Sequence, residues 1–153
     1  FNIPSRTVSS ASYSGTFTAK STMNVTTSAG GSFSGIYDTA YDQPASLAAV
    51  TGTFSGVGVS GTSPVQAASV AISPSGAITV PASLGCSAAG TATPRPSGKN
   101  IFNVTVTFTG STCALGNGAS TSGVAYYDAA TRRVLVMAMN AAKSDGFFYL
   151  GQK

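Results

Sequence analysis

The run IFNVTVTFT, from Ile101 to Thr109, constrains the fold of this chain more than any other stretch. Phe102, Val104, Val106 and Phe108 alternate with Asn103, Thr105, Thr107 and Thr109. An extended strand sends successive side chains to opposite faces, so strict alternation predicts one buried and one wet face. A turn region holding Cys113, Gly116, Asn117 and Gly118 follows, then GVAYYD, a short turn over Ala129, Ala130 and Thr131, and RRVLVMAMN to Asn140. These make three consecutive antiparallel strands, a β-meander.

Strand patterns recur at Ala11 to Ala19, Met23 to Thr27, Ser32 to Tyr37, Thr51 to Ser60, Gln66 to Ser73, Ala77 to Val80 and Gly146 to Leu150. One segment breaks them. DQPASLAAV, Asp42 to Val50, offers Asp42 as an N-cap, Pro44 in the first turn and a run of Ala and Leu, so it predicts one or two helical turns. The stretch from Pro81 to Asn100, with Pro81, Pro94 and Pro96, reads as the loosest region, with a short strand near Gly90 to Thr93. FNIPSRTVSS has no strand periodicity and reads as a flexible arm over residues 1–10. At 153 residues the remainder, 11–153, is expected to be a single β domain. The fold class is all-β and antiparallel, with one short helix.

Four Ser-Gly pairs sit in similar strand-like runs: SYSGTF, SFSGIY, TFSGVG and TSGVAY, with Gly15, Gly35, Gly56 and Gly123. Glycine inside a strand marks a bulge, a sharp coil or a close backbone approach, which fits a sheet closing on itself. The competing reading is that glycine is simply frequent, at 18 residues. Val134 to Met139 and Phe147 to Leu150 are apolar on both faces. Such strands call for a second layer: cover from Asp42 to Val50, the far wall of a barrel, or a ligand or partner.

The charged residues are few, eight basic and four acidic, and the acids are all Asp. Without His, no Ser-His-Asp, Cys-His or His-metal site can be built. No SxxK dyad occurs, and SGKN at Ser97 to Asn100 lacks the spacing of a phosphate loop. Asp38 and Asp42 share a loop but offer too few oxygens for more than a weak calcium site, and read as solvated or capping groups. The expectation is a non-enzyme with no catalytic residue, metal or cofactor. The cations are scattered apart from Arg132-Arg133, which argues against nucleic acid.

Cys86 and Cys113 fit neither a CxxC pair nor a four-ligand zinc site. A disulfide in an oxidising compartment is the expected reading, closing a loop of about 28 residues for roughly 3 to 4 kcal/mol. Two unrelated buried thiols are the alternative. No stretch approaches the ~20 apolar residues of a membrane helix. No signal peptide stands at the start, so an exported protein would have had its leader removed.

GCSAAGTATPRPSGKNIFNVTVTFTGSTC, GVAYYDAATRRVLVMAMN, SDGFFYLGQK and the block PASLAAVTGTFSG together resemble small exported lipoproteins of Gram-negative bacteria, mostly of unassigned function. The resemblance covers about residues 33–153 and rests on glycines, a cysteine pair and core aromatics. It implies an antiparallel barrel or sandwich of about eight strands, carried on an arm from a lipid-modified Cys that this sequence does not contain. It carries over no functional residues. The implied location is the bacterial cell envelope, in the periplasm or on the outer-membrane surface, with membrane contact only through such an anchor.

Four functions follow in order. The first is a non-catalytic, monomeric binding or interaction protein at the envelope, with an unknown protein partner. Its candidate contacts are Tyr126, Tyr127, Arg132, Arg133, Phe148 and Tyr149, because aromatics and Arg anchor interfaces. Second is a lipocalin-like carrier of a small apolar ligand. A pilus-type structural subunit is third, although the chain lacks an alternating apolar N-terminal donor strand. An outer-membrane barrel is last, since the alternate positions are mainly Thr, Ser and Asn.

Overall fold

The computed structural model describes residues 10–60 and 63–153, so the expected arm, apart from Ser10, lies outside the described residues. Three strands come first: β1 (Tyr13–Thr18), β2 (Thr22–Thr27) and β3 (Ser32–Ile36). A 3-10 turn (Thr39–Asp42) and a single-turn helix α1 (Leu47–Val50) lead into eight more strands. These are β4 (Gly52–Ser60), β5 (Gln66–Ile72), β6 (Ala77–Ser83), β7 (Cys86–Pro94), β8 (Ile101–Thr109), β9 (Ser120–Asp128), β10 (Arg133–Met139) and β11 (Gly146–Gln152).

β4 to β11 form a closed antiparallel barrel in which each strand pairs with the next, and β11 returns to β4. The seam runs from Phe147↔Ser60 to Gln152↔Ser55. Closure leaves this sheet with no terminal edge strand. The alternation along β8 decides which face turns inward: Phe102, Val104 and Val106 are buried, while Thr105 and Thr107 are exposed. Across the ladder Phe102 stands beside Ala125, and Ala125 beside Val136, so one inward ring continues from strand to strand.

The glycines of the Ser-Gly repeat explain the curvature. A Cβ at Gly56 would collide with the Leu150 carbonyl oxygen, and one at Gly123 with that of Met137. Neighbouring backbones cross so closely there that no other residue fits, which is how a small barrel turns its corners. Gly15 meets the Asn24 carbonyl in the same way, whereas the nearest atom at Gly35 is the Met23 methyl at 3.9 Å. Close approach therefore accounts for three of the four positions, and Gly35 has no such constraint.

Three sequence expectations need correction. The helix does not run from Asp42: Ser46 is the N-cap of α1, and Asp38, not Asp42, caps the preceding 3-10 turn through Ala40 N–H. Pro44 lies between the two, where its ring and missing N–H keep the turns apart. Pro81 to Asn100 is not loose; β6 continues through Pro81 to Ser83, and β7 spans nine residues paired with β8. Small residues such as Ala88, Gly90 and Ala92 are there because they face a curved interior. Finally, the doubly apolar strands are not buried on both faces: of the expected second layers, the far wall of the barrel covers the inner face. Val134, Val136 and Ala138 point inward, while Met137 on the outer face is 51% exposed.

α1 instead closes one end of the barrel. Val50 is 1% exposed within the core, and Leu47 packs on it from the rim. The β7–β8 loop fastens the segment from outside: Ala45 N–H donates to the Lys99 carbonyl at 3.2 Å, Asn100 N–H to that of Tyr41 at 3.0 Å, and the Asn100 amide to that of Tyr127 at 2.8 Å.

β1, β2 and β3 make a separate three-stranded sheet. Its register puts Tyr13, Phe17, Met23, Val25 and Phe33 on one face and Ser14, Thr16, Asn24, Thr26 and Ser34 on the other. Only Val25 on the apolar face is buried; Tyr13 and Phe17 are each 79% exposed.

Candidate functional site: the barrel lumen

The inward residues of β4 to β11 differ in size along the barrel axis. Near α1 the bulky Phe54, Phe102, Tyr127 and Val134 fill the interior, with Phe54 and Tyr127 meeting edge to face at 6.0 Å. Towards the other end the inward positions shrink to Gly56, Gly58, Ala68 and Ala88. A cavity of about 520 Å³ results, lined by Val70, Ile78, Val80, Val104, Val106, Phe108, Val136 and Phe147 among others. Its lining contains no charged side chain. Of its serine and glutamine side chains, Ser60, Gln66, Ser83 and Ser87 belong to strand ends opposite α1, and Ser55 and Ser69 lie midway along β4 and β5. The lumen is thus blocked at the α1 end and bordered by hydroxyl and amide groups at the other.

The buried side chains leave no hydrogen-bonding atom idle among the described residues. The Tyr149 hydroxyl donates to the Phe54 carbonyl at 2.9 Å and lies 3.4 Å from that of Ala68. Burial pushes the Tyr149 phenol up to about 12, so it is a neutral hydrogen-bond donor at ordinary pH. Thr121 donates to the Val106 carbonyl at 3.2 Å. Among the described residues, every buried side-chain nitrogen and oxygen has a partner. What the lumen offers a guest is mainly apolar surface.

Cys86 and Cys113 are joined in a disulfide. It ties the β8–β9 loop to the start of β7 at the open end, where Cys86 lines the cavity. Thr112 reinforces the tie by donating to the Leu84 carbonyl at 2.7 Å. Such a bond marks an oxidising, non-cytoplasmic compartment. No helix among the described residues is long and apolar enough to cross a membrane.

The six candidate contact residues do not form one surface. Tyr127 and Tyr149 face the lumen and are buried, 6% and 4% exposed. Tyr126, on the outer face of β9, donates to an Asp38 carboxylate oxygen at 2.9 Å, and burial followed by that Asp38 contact raises its phenol to about 12. Phe148 is on the outer face of β11, and Arg132 and Arg133 are exposed at the β9–β10 turn on the α1 side. Period-two reading distinguishes faces, but it did not assign Tyr126 and Tyr127 to opposite sides because both neighbours are aromatic.

The sequence reading also missed the electrostatic clasp around α1. Lys99 Nζ is 2.6 Å from Asp42 Oδ1, and Lys20 Nζ, from the β1–β2 turn, is 3.7 Å from Asp42 Oδ2. Lys99 first, and Tyr37 second, hold the Asp42 carboxyl down to about 2. Positions 20, 42 and 99 are too far apart in the chain for any local pattern to connect them.

No protein-family model, curated protein or solved structure gives a significant match to this chain.

Proposed function

We propose that this is a non-catalytic protein of the cell envelope that carries a small apolar ligand in the lumen of its barrel. The observation that carries the reading is the cavity of about 520 Å³, lined mainly by apolar side chains and blocked at one end by α1. Ligand sites are concave, mostly apolar and roughly 300 to 1,000 Å³ in volume. Eight strands also make the barrel size whose interior, if not filled by side chains, holds one small ligand.

The test is to fill the lumen. Ala88 is buried, faces inward and pairs with Val80 and Phe108, both of which line the cavity. Ala88→Phe should leave the circular dichroism spectrum unchanged and abolish uptake of a fluorescent apolar probe. Equal uptake by the folded variant and the parent would defeat the reading.

A second reading, an interaction protein, draws on the three-stranded sheet. Its exposed Tyr13, Phe17 and Phe33 form an apolar patch of the kind found at contact sites. Replacing all three with Ser should abolish capture of a partner from envelope extracts while leaving probe uptake intact.

A further inference from the structure

The wall of the lumen is incompletely laddered between β5 and β6. β5 and β6 are each seven residues long, yet only two ladder pairs join them, Ala71↔Thr79 and Ile72↔Ile78. The β4–β5 seam, by contrast, has seven pairs. From Val70 back to Gln66, and from Val80 on to Ser83, no ladder crosses between the two strands. Pro81 helps explain this, since it has no N–H to offer, and β6 is irregular between Val80 and Ser83. Ala67 and Ser69 on one side and Pro81 and Ser83 on the other are part of the cavity lining. The cavity therefore extends into a slot bordered by two strand edges.

The two parts of this space differ chemically. The inner part offers mainly hydrocarbon, while the slot offers backbone amides and carbonyls outside the ladder together with the hydroxyls of Ser69 and Ser83. Neither offers a charge. Burying an ionised head group without a counter-charge is expensive, whereas a hydroxyl or ester can exchange water for backbone partners.

Resting on the carrier reading, we infer that the barrel binds a single-chain lipid with an uncharged polar head, such as a fatty alcohol or monoacylglycerol. The chain occupies the lumen and the head occupies the β5–β6 slot.

The experiment uses the full chain with its disulfide intact and the uncharged fluorophore N-phenyl-1-naphthylamine as the probe. Decan-1-ol, decanoate and decylammonium compete for it at neutral pH. Decan-1-ol should displace the probe at concentrations about tenfold or more below those of either ion, a difference of about 1.4 kcal/mol. Equal displacement by decanoate or decylammonium overturns the inference while leaving the carrier reading intact. Failure of the parent protein to take up the probe overturns both. Two variants locate the head group. Ser83→Lys, at an exposed slot position, should reverse the order in favour of decanoate, whereas Ala114→Lys, exposed on the β8–β9 loop, should preserve it. If both lysines shift the order alike, the head does not occupy the slot.

Discussion

The Lys153 ammonium donates to the Ala49 carbonyl at 2.7 Å, joining the end of the chain to the helical turn that plugs the barrel. A second bond reaches the Thr51 carbonyl at 2.9 Å, and the same nitrogen lies 5.3 Å from the Phe54 ring centre and 5.4 Å from that of Tyr127. One cation thus satisfies helix-end carbonyls and caps the aromatic floor of the lumen. Lys153→Met keeps the aliphatic stem and removes the charge. Urea unfolding should show a loss of about 1 to 2 kcal/mol, on the scale of charged hydrogen bonds and cation–π contacts.

At Gly56 and Gly123 a methyl group has nowhere to go, because the facing backbone carbonyl already occupies its place. Gly56→Ala and Gly123→Ala should each cost about 1 to 3 kcal/mol, as overpacking does. Gly35→Ala should stay within about 0.5 kcal/mol of the parent. Thermal melts of the three variants would separate the close-approach glycines from the unconstrained one.

Acid should loosen the fastening of α1. The Asp42 carboxyl is held at about 2 in the folded chain against an ordinary 3.8, chiefly by Lys99. A depressed folded value means its contribution is fully present above the unfolded value and disappears as pH falls through about 2. The urea midpoint of the parent should therefore decline between about pH 4 and pH 2. In Asp42→Asn that part of the decline should be missing, a comparison made by repeating the titration at each pH.

Base should act on Tyr149 in the opposite sense. Its phenol is raised by burial from 10.0 to about 12, so the stabilisation is present below the unfolded value and lost as pH rises towards 12. In a spectrophotometric titration of tyrosinate, Tyr149 and Tyr126 should ionise near 12, well above the ordinary 10.0. Tyr149→Phe should remove one late-titrating group and flatten the loss of stability above pH 10.

Removing the disulfide tests how the open end is held. Its ends are 27 residues apart, so Cys86→Ser with Cys113→Ser should lower stability by roughly 3 to 4 kcal/mol on the loop-entropy model. Protection of β8–β9 loop amides from hydrogen exchange should fall furthest, because the bond is that loop's covalent link to β7.

The barrel was legible wherever one face was apolar and the other polar. β8 announces itself through Phe102 to Thr109, and the meander to β10 follows from turn residues between alternating runs. β7 was largely hidden, since Ala88, Gly90 and Ala92 are inward residues too small to stand out from Ala89 and Thr91. The outer face of β10 misled in the other direction: Leu135 and Met137 look like core, yet Met137 is mostly exposed. The lumen itself could not be read, because empty space is a property of eight strands together and each contributes only a small residue or two. Long-range pairs such as Asp42 with Lys99 leave no trace in local spacing.

The seam between β4 and β11 also governs how the molecule is made. Val57 and Leu150 are partners across it, yet 93 positions separate them in the chain, 150 minus 57. During synthesis β4 emerges early and must wait, with one backbone edge bare, until the final strand arrives. Seven strands without the eighth form an open sheet with two sticky margins, the arrangement most prone to join a neighbouring chain. Pairing over such a distance is also slow to nucleate. Shielding of β4 until β11 is available therefore matters while the molecule is being made and loses its purpose once the seam has closed.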